Sequence, residues 1–594
     1  MPGPAPYVLL DDARANGAPA RLYVRPVEIV EATTIEAVRP ALDRLRGARA
    51  RGLHAAGFLH YEAGGAFELA AWRDDPPEGR LLWFGLFEDY ETIAPDAVPG
   101  RLPDPAGAWA GTPTPRIDET AYRVAFARVA ELIAAGDIYQ ANLTFRASVP
   151  FAGDPAALYA LLRGRARAGY GALIDTGDGV LLSLSPELFF SLEGGQLTAR
   201  PMKGTALRDS DPDRDAALAA DLAADPKQRA ENLMIVDLMR NDLARVARPG
   251  SVAVPQLFEV EAYPTVHQMV SSITAELVPE HDAIDALAAL FPCGSITGAP
   301  KVRAMQIIAE VEQGARGIYT GAIGRLDANG DAMFNVAIRT LAIDRAKPGD
   351  ESALLGLGSG VVADSEAAQE WQECLAKGAF VSAGERPFDL IETMRFDPID
   401  GMPLLERHLA RVKASALAFD FRFDRHSARN ELQAATFRLR DPAKVRVLLS
   451  RSGAIAIGIS PLPEYPDGPV RIALAPREVA RNDFRLRHKI SRRDFYDRAR
   501  RESGAWEVVL LDEDGFVTEG SFTNVFVERH GVLVTPPLSR GLLPGVLRAE
   551  LLDTGRAIEG DLRPNDLQDG FFVGNAVRGL VAAVTVAESS NRDV

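Results

Sequence analysis

Apolar and polar residues follow two periods along the chain. Segments 177–193 and 318–344 alternate between the two classes, as half-buried strands do. Segments 119–135, 211–248 and 283–289 repeat apolar residues three and four apart, the spacing of amphipathic helices. A Pro/Gly-rich stretch at 96–118 separates an N-terminal region from a helix starting near Asp118. Residues 346–352 (AKPGDES) read as a loop between strands. Residues 382–388 (SAGERPF) separate a helix ending near Phe380 from the β-type segment FDLIETMRF. Beyond it, LLERHLARVKASALAF is an amphipathic helix, followed by strands around 444–460 and 470–475. The pattern is α+β in both halves. It divides the chain into an N-terminal region 1–110, a domain 111–382, a linker 383–387 and a second domain 388–594. No period of about 20 to 50 residues repeats, which excludes a solenoid.

Composition agrees with this division. A chain of 594 residues exceeds one hydrophobic core, so two or three domains are expected. A formal charge of -16 argues against a nucleic-acid partner, which wants a basic face. Cys293 and Cys374 are too few for a disulfide framework or a cysteine-based zinc site. The N-terminus has no basic stretch followed by an apolar one, hence no signal peptide is expected. No run of about 18 apolar residues suggests a membrane span. The cytoplasm is the expected compartment.

Candidate chemistry in the first half comes in small pieces. AENLMIVDLMRNDL places Glu231 at the start of a helix, and SEAAQEWQECLAK sets Glu366, Glu370, Glu373 and Lys377 on one helical face. Such a face is either a solvated one with i,i+4 pairs or, with carboxylates from two helices, a site for Mg²⁺. FPCGSITGAPKVRAM leads Gly294, Ser295, Thr297 and Gly298 into a helix, a turn suited to anions. Arg339, on an expected strand, could fork onto a carboxylate or form a structural ion pair. SPELFF, PMKGTALR, TVHQMVSSI, GIYTGAIG, NVAIRT and GSGVVADSEAAQEWQECLAK occur in order with these.

Over about residues 50–382 this series resembles the chorismate-utilising enzymes: component I of anthranilate synthase and aminodeoxychorismate synthase, and isochorismate and salicylate synthases. The resemblance implies a two-sheet β-sandwich wrapped by helices. It implies Mg²⁺ held by Glu231, Glu370 and Glu373, and a substrate cradle of Gly294, Ser295, Thr297 and Lys301. Arg339 and Tyr319 match carboxylate-binding positions, Gly358 and Gly360 substrate-facing ones, and His267 the histidine beside the ring. Glu187 matches the general acid, which must be neutral to donate. Lys203 stands where anthranilate synthases usually carry alanine, and its amine could attack C2 of chorismate. Gln140 stands where isochorismate and salicylate synthases carry a water-activating lysine, and glutamine cannot be that base. These two positions favour nitrogen at C4. Neither cysteine sits in a glutaminase context, so a separate glutamine amidotransferase subunit, or free ammonia, is the expected nitrogen source.

In the second half, Lys489 in RLRHKISRRDFYDRAR would ordinarily be a surface lysine. Its surroundings change that. Glu519 sits in a Gly-flanked turn, where it suits a protonated pyridine nitrogen. LLPGVLRAELL gives a helix N-terminus for a phosphate, and Arg411 adds a cation. Asn575 and Arg578 lie in FFVGNAVRGL. Over about 388–590 this resembles the fold-type IV pyridoxal-phosphate enzymes: branched-chain and D-amino-acid aminotransferases and aminodeoxychorismate lyase. The resemblance implies Lys489 as cofactor anchor, Glu519 as pyridine partner, Arg411 and the amides of Val546 and Leu547 as phosphate ligands, and Asn575 and Arg578 as substrate contacts. Leu547 replaces a usual threonine, which removes a hydroxyl contact. HKISRRDFYDRAR and VGNAVRGL favour a lyase over a transaminase. Fusion supports that, since the first half's expected product is such a lyase's substrate. The expected whole is conversion of chorismate to 4-aminobenzoate. A homodimer through the second half is left open.

Overall fold

The computed structural model describes residues 4–68, 79–263, 266–345 and 352–586. The loop expected at 346–352 lies, apart from Ser352, outside the described residues. The chain forms two compact units: Met1–Pro103 with Thr112–Pro150 and Tyr159–Gly384, and Asp104–Gly111 with Phe151–Leu158 and Glu385–Val594. Asp104–Gly111 and Phe151–Leu158 therefore belong with the second half. The cause is long-range packing: Trp109 and Ala152 share an apolar cluster with Phe388, Phe419 and Phe484.

The first unit is built on two antiparallel sheets. One includes Tyr7–Asp11, Gln140–Ala152, Tyr170–Asp175, Gly179–Ser185, Thr340–Asp344 and Ser352–Val361. The other includes His54–Leu59, Leu82–Phe87, Leu188–Glu193, Met202–Leu207, Val266–Glu276 and Ala322–Leu326. Val8, Tyr23, Ile174 and Leu181 of the first meet Phe58, Trp83, Phe87 and Ile323 of the second in a shared core. The other face of the second sheet buries Phe84, Phe190 and Phe334 with helix residues Leu42, Met239 and Leu287. The single helix expected over 211–248 is two, Pro212–Ala224 and Pro226–Ala244. Pro226 cannot donate an amide to the preceding turn, and the Asp225 carboxylate caps the new helix through Lys227 and Gln228. Arg339 lies between strands rather than on one, at φ 49, a left-handed turn that a period-two pattern does not reveal.

The second unit holds a three-stranded sheet, Leu390–Phe396, Ala443–Leu449 and Ile455–Pro461. Its larger sheet is mixed. Val517–Gly520 pairs with both Glu507–Leu511 and Asn524–Arg529, closing six strands into a ring.

Phe419 is fully buried and meets Trp109, Phe388 and Phe484 edge-on or tilted, with ring centroids 5.0, 5.2 and 5.6 Å away. Trp109→Ala and Phe419→Ala should each cost about 3–5 kcal/mol. In guanidinium unfolding followed by circular dichroism, both should shift the same transition although 310 residues separate them. A shift of different transitions would contradict the composition of the second unit.

Candidate functional site

In the first unit, strand Met202–Leu207 carries Lys203, and its backbone is fixed from below. Asn232 Nδ2 donates to the Lys203 carbonyl (3.3 Å), while Asn232 Oδ1 accepts from Ser271 Oγ (2.6 Å). The side chain is half-buried, and its amine stands against Gly360: a Cβ there would lie 2.9 Å from Lys203 Nζ and 2.8 Å from Gln140 Nε2. Loss of water lowers the Lys203 pKa, and the nearby positive Lys377 lowers it further. Glu187 is buried, and burial pushes its carboxyl up to about 7 despite the Ser295 hydroxyl donating at 2.6 Å and the Lys203 charge nearby. Burial thus moves the amine and the carboxyl each toward its neutral form. Gln140 is fully buried, and neither its amide oxygen nor its nitrogen has a partner.

The remaining expected residues separate into two groups. Some keep free polarity. His267 binds Asp215 through Nε2 (2.9 Å), but its buried Nδ1 has no partner. Arg339 has its pKa lowered by loss of water. Tyr319 is buried and packs so tightly on Gly356 that a Cβ there would lie 2.0 Å from its ring. Others are engaged in architecture. Thr297 Oγ1 donates to the carbonyls of Cys293 and Gly294, closing the Gly294–Ser295 turn. Lys301 is buried and donates to Asp242 Oδ2 (2.8 Å) and the Leu290 carbonyl (2.9 Å), so it braces the helix Lys301–Val311 instead of facing a cradle. Gly358 lies close to Thr144, and its carbonyl accepts from Lys377 Nζ.

Of the carboxylates expected to hold Mg²⁺, Glu231 is half-buried, its pKa is raised by burial, and the charge of Glu370 adds to the rise. Glu373 pairs with Lys377 (2.7 Å), Glu370 accepts from Ser365 Oγ (2.7 Å), and among the described residues no three His, Cys, Asp or Glu side chains are gathered around a metal position. The i,i+4 pair is the solvated-face alternative that the spacing allowed. No step below runs through a metal.

In the second unit a cavity of about 500 Å³ is lined by Lys489, Glu519, His408, Arg411, Gly545 and Val546, among others. That volume suits a small-molecule cofactor with substrate. Lys489 is pinned by its backbone, whose carbonyl accepts from Ile391 N (2.8 Å), and burial with nearby Arg411 lowers its amine to about 7. Glu519 is buried on strand Val517–Gly520, accepts from Tyr496 Oη and from Leu543 N (3.1 Å), and is pushed by burial up to about 7. Arg411 is turned onto Glu392 (2.8 and 2.7 Å) and the Pro544 carbonyl (3.0 Å). Of its five N–H donors, two remain for a phosphate. Sequence reasoning missed His408, whose Nδ1 contacts Glu392 (2.6 Å) while its buried Nε2 has no partner. The signal was present: His408 is one turn before Arg411 on the same helix.

The helix Val546–Asp553 starts at Gly545, where a Cβ would lie 1.8 Å from Asn524 Oδ1, so only glycine fits. Leu547 packs its side chain against the cluster of Phe526 and Leu551. Asn575 is engaged: Nδ2 donates to the Phe522 carbonyl, and Oδ1 accepts from Val577 N and Arg578 N.

Comparison with known proteins assigns a family to each half of the chain. The model of the chorismate binding enzyme family matches residues 8–383, and that of amino-transferase class IV matches 389–586. Aminodeoxychorismate synthase component 1 of Klebsiella aerogenes is 43% identical over 310 residues, 52% of this chain and 65% of that protein. Anthranilate synthase component 1 of Streptomyces coelicolor is 36% identical over 365 residues, 54% of this chain and 70% of that protein. The crystal structure of anthranilate synthase component I from Streptococcus pneumoniae superposes with a TM-score of 0.53 at 28% identity, over 64% of this chain and 93% of that one. The chain spans less than two thirds of the aminodeoxychorismate synthase components it matches first. No helix among the described residues is long and apolar enough to cross a membrane.

The Glu187 carboxyl should titrate near 7, visible as a protonated C=O band that infrared difference spectra lose as pH rises through that value. Ser295→Ala removes a hydrogen bond that favours the charged form, so the band should persist to higher pH. A band lost near the ordinary carboxyl value of about 4.3 would refute the assignment.

Proposed function

Since the chain belongs to the chorismate binding enzyme family, we propose that it makes 4-aminobenzoate from chorismate and ammonia in two steps, one per unit. The supporting observation is the pairing, in each unit, of an amine and a buried carboxyl with shifted pKa values. Lys203 attacks C2 of chorismate through its free-base amine, the form that burial favours. Both ring double bonds shift, and the C4 hydroxyl leaves as water on the Glu187 proton. Ammonia then adds at C4, both double bonds return, and the C2–nitrogen bond to Lys203 breaks. The product is 4-amino-4-deoxychorismate. Gln140 supplies unpaired amide groups beside Lys203 but no base, so water is not activated there. A separate glutamine amidotransferase supplies the ammonia, as the component 1 relatives' name suggests.

The second cavity fits pyridoxal phosphate. Lys489 would anchor it, Glu519 would hold its pyridine nitrogen, and the Gly545–Val546 helix start, Arg411 and His408 would face its phosphate. Bound there, the cofactor supplies an electron sink beside the substrate amine. Lys489, with a pKa of about 7, takes the C4 proton as pyruvate departs from C3 and the ring becomes aromatic. Tyr496 and Leu543 N hold Glu519 in place while it does so. Charge supports an anionic substrate: besides Lys489, Arg411, paired with Glu392, and Arg485, paired with Asp483, the cavity is lined by Lys444, Arg446, Arg493, Arg500 and Arg578 against Asp497 and Glu519.

With chorismate, ammonium, Mg²⁺ and pyridoxal phosphate, the protein should release 4-aminobenzoate and pyruvate. Lys489→Ala should accumulate aminodeoxychorismate, and Lys203→Ala should make neither. Anthranilate as product would overturn the first assignment, and amino transfer to 2-oxoglutarate the second. Gly360→Ala puts a methyl against Lys203 and Gln140. It should slow the first step about a hundredfold and leave the second unchanged when aminodeoxychorismate is supplied.

A further inference from the structure

Three segments of the second unit bring two arginines to one aromatic ring. Helix Asp494–Ser503 carries Arg500, the loop after Gly520 carries Phe522, and the turn after Asn575 carries Arg578. The guanidinium carbons of Arg500 and Arg578 lie 5.3 and 5.5 Å from the Phe522 centroid, and Arg578 is also 5.5 Å from Trp506. All three residues at Phe522, Arg500 and Arg578 line the cavity that contains Lys489.

Neither cation is held by an acid at hydrogen-bond length. The buried Nε of Arg578 has no partner. The acid whose charge favours Arg578 is Glu507, but its oxygens are occupied by Ser521 N and Oγ, Phe522 N and Thr523 Oγ1 at 2.6–3.1 Å. Arg500 approaches Asp497 only to 3.8 Å, beyond hydrogen-bond length, and that carboxylate is 49% exposed. Stacking on a ring uses the face of a guanidinium and fixes its plane. The N–H edge stays available for a carboxylate fork. The frame is rigid, because Glu507 ties down the Phe522 loop and Asn575 joins that loop to the Arg578 turn. Two like charges at one ring repel, and an anion between them removes the cost.

We propose that Arg500 and Arg578, set against Phe522, form a carboxylate-binding site that selects substrates with an acid group remote from the amine. The assignment rests on the two-step reading above and specifies its substrate class. It makes Arg500, the last residue of HKISRRDFYDRAR, a specificity residue.

The test uses the full chain loaded with pyridoxal phosphate. Aminodeoxychorismate turnover gives KM and kcat, and calorimetry measures binding of isophthalate, a dicarboxylate probe, against benzoate. Arg500→Ala and Arg578→Ala should each raise KM about tenfold or more, with kcat within about threefold. The preference for isophthalate over benzoate should fall by a similar factor, while the cofactor absorbance band stays as in the parent. Arg500→Lys, which keeps charge but loses the fork, should lie between. Unchanged KM and unchanged isophthalate preference in both alanine variants would overturn the site. If the parent makes no 4-aminobenzoate, the two-step reading falls and calorimetry alone decides: weaker isophthalate binding in both variants keeps the site, and unchanged binding removes it.

Discussion

Removing water from an ionisable side chain always favours its neutral form, and both units depend on that single constraint. A lysine in water, with a pKa of about 10.4, is almost wholly protonated at neutral pH and cannot act as a nucleophile or base. A carboxyl in water, at about 4.3, is almost wholly ionised and cannot donate a proton. Enclosure moves both groups toward neutrality, so one low-dielectric setting prepares an acid and an amine together. Lys203 with Glu187 is one instance, and burial lowers Lys489 on an unrelated framework, where Glu519, raised by the same burial, would be ionised by a protonated pyridine nitrogen. Local charges then adjust each group. Lys377 adds to the lowering at Lys203, Arg411 to that at Lys489, and the Ser295 hydroxyl restrains the rise at Glu187.

Enclosure would be costly if the surrounding polar groups were left unsatisfied at random. They are not. Scaffold residues are saturated: Asn232, Thr297, Lys301, Glu507 and Asn575 direct their polar atoms into backbone or ion-pair contacts. Among the buried polar atoms left without a partner are both amide atoms of Gln140, Nδ1 of His267, Nε2 of His408 and Nε of Arg578. A buried polar atom with no partner in the protein is one that a ligand can satisfy.

The same contrast explains what the sequence could and could not reveal. Period and capping carry local information, so helices such as Glu119–Ala134 and Leu405–Ala418 and the strand after residue 388 were legible. Motif order located Lys203, Glu187, Lys489 and Glu519. What failed was information held elsewhere in the chain. Lys301 looks like part of a cradle until Asp242, 59 residues earlier, is seen to hold it. Trp109 sits in a stretch that reads as linker, because its core partners lie about 280 to 375 residues away. Arg339 turns on one left-handed φ, which no alternation pattern encodes. The acidic face of helix Ala367–Gly378 permitted both a metal and an ion pair, and the Glu373–Lys377 contact is the second of these.

The two lysines also constrain each other through chemistry. Lys489 with Glu519 supports several reactions beside an amine, and those residues alone do not choose among them. In the proposed reaction Lys203 beside Gln140 supports amination without water activation in the first unit, and the product would carry one amine and two carboxylates. A cavity meant for a branched-chain or small D-amino acid would need one cationic partner beyond the phosphate ligands. This one sets Arg500, 3.8 Å from Asp497, and Arg578, whose Nε has no partner, at a shared ring in addition to its phosphate-facing groups. An anion there is favoured, and the proposed product of the first unit has the matching valence. Complementary charge thus joins the two reactions on one chain without requiring any particular arrangement of the units.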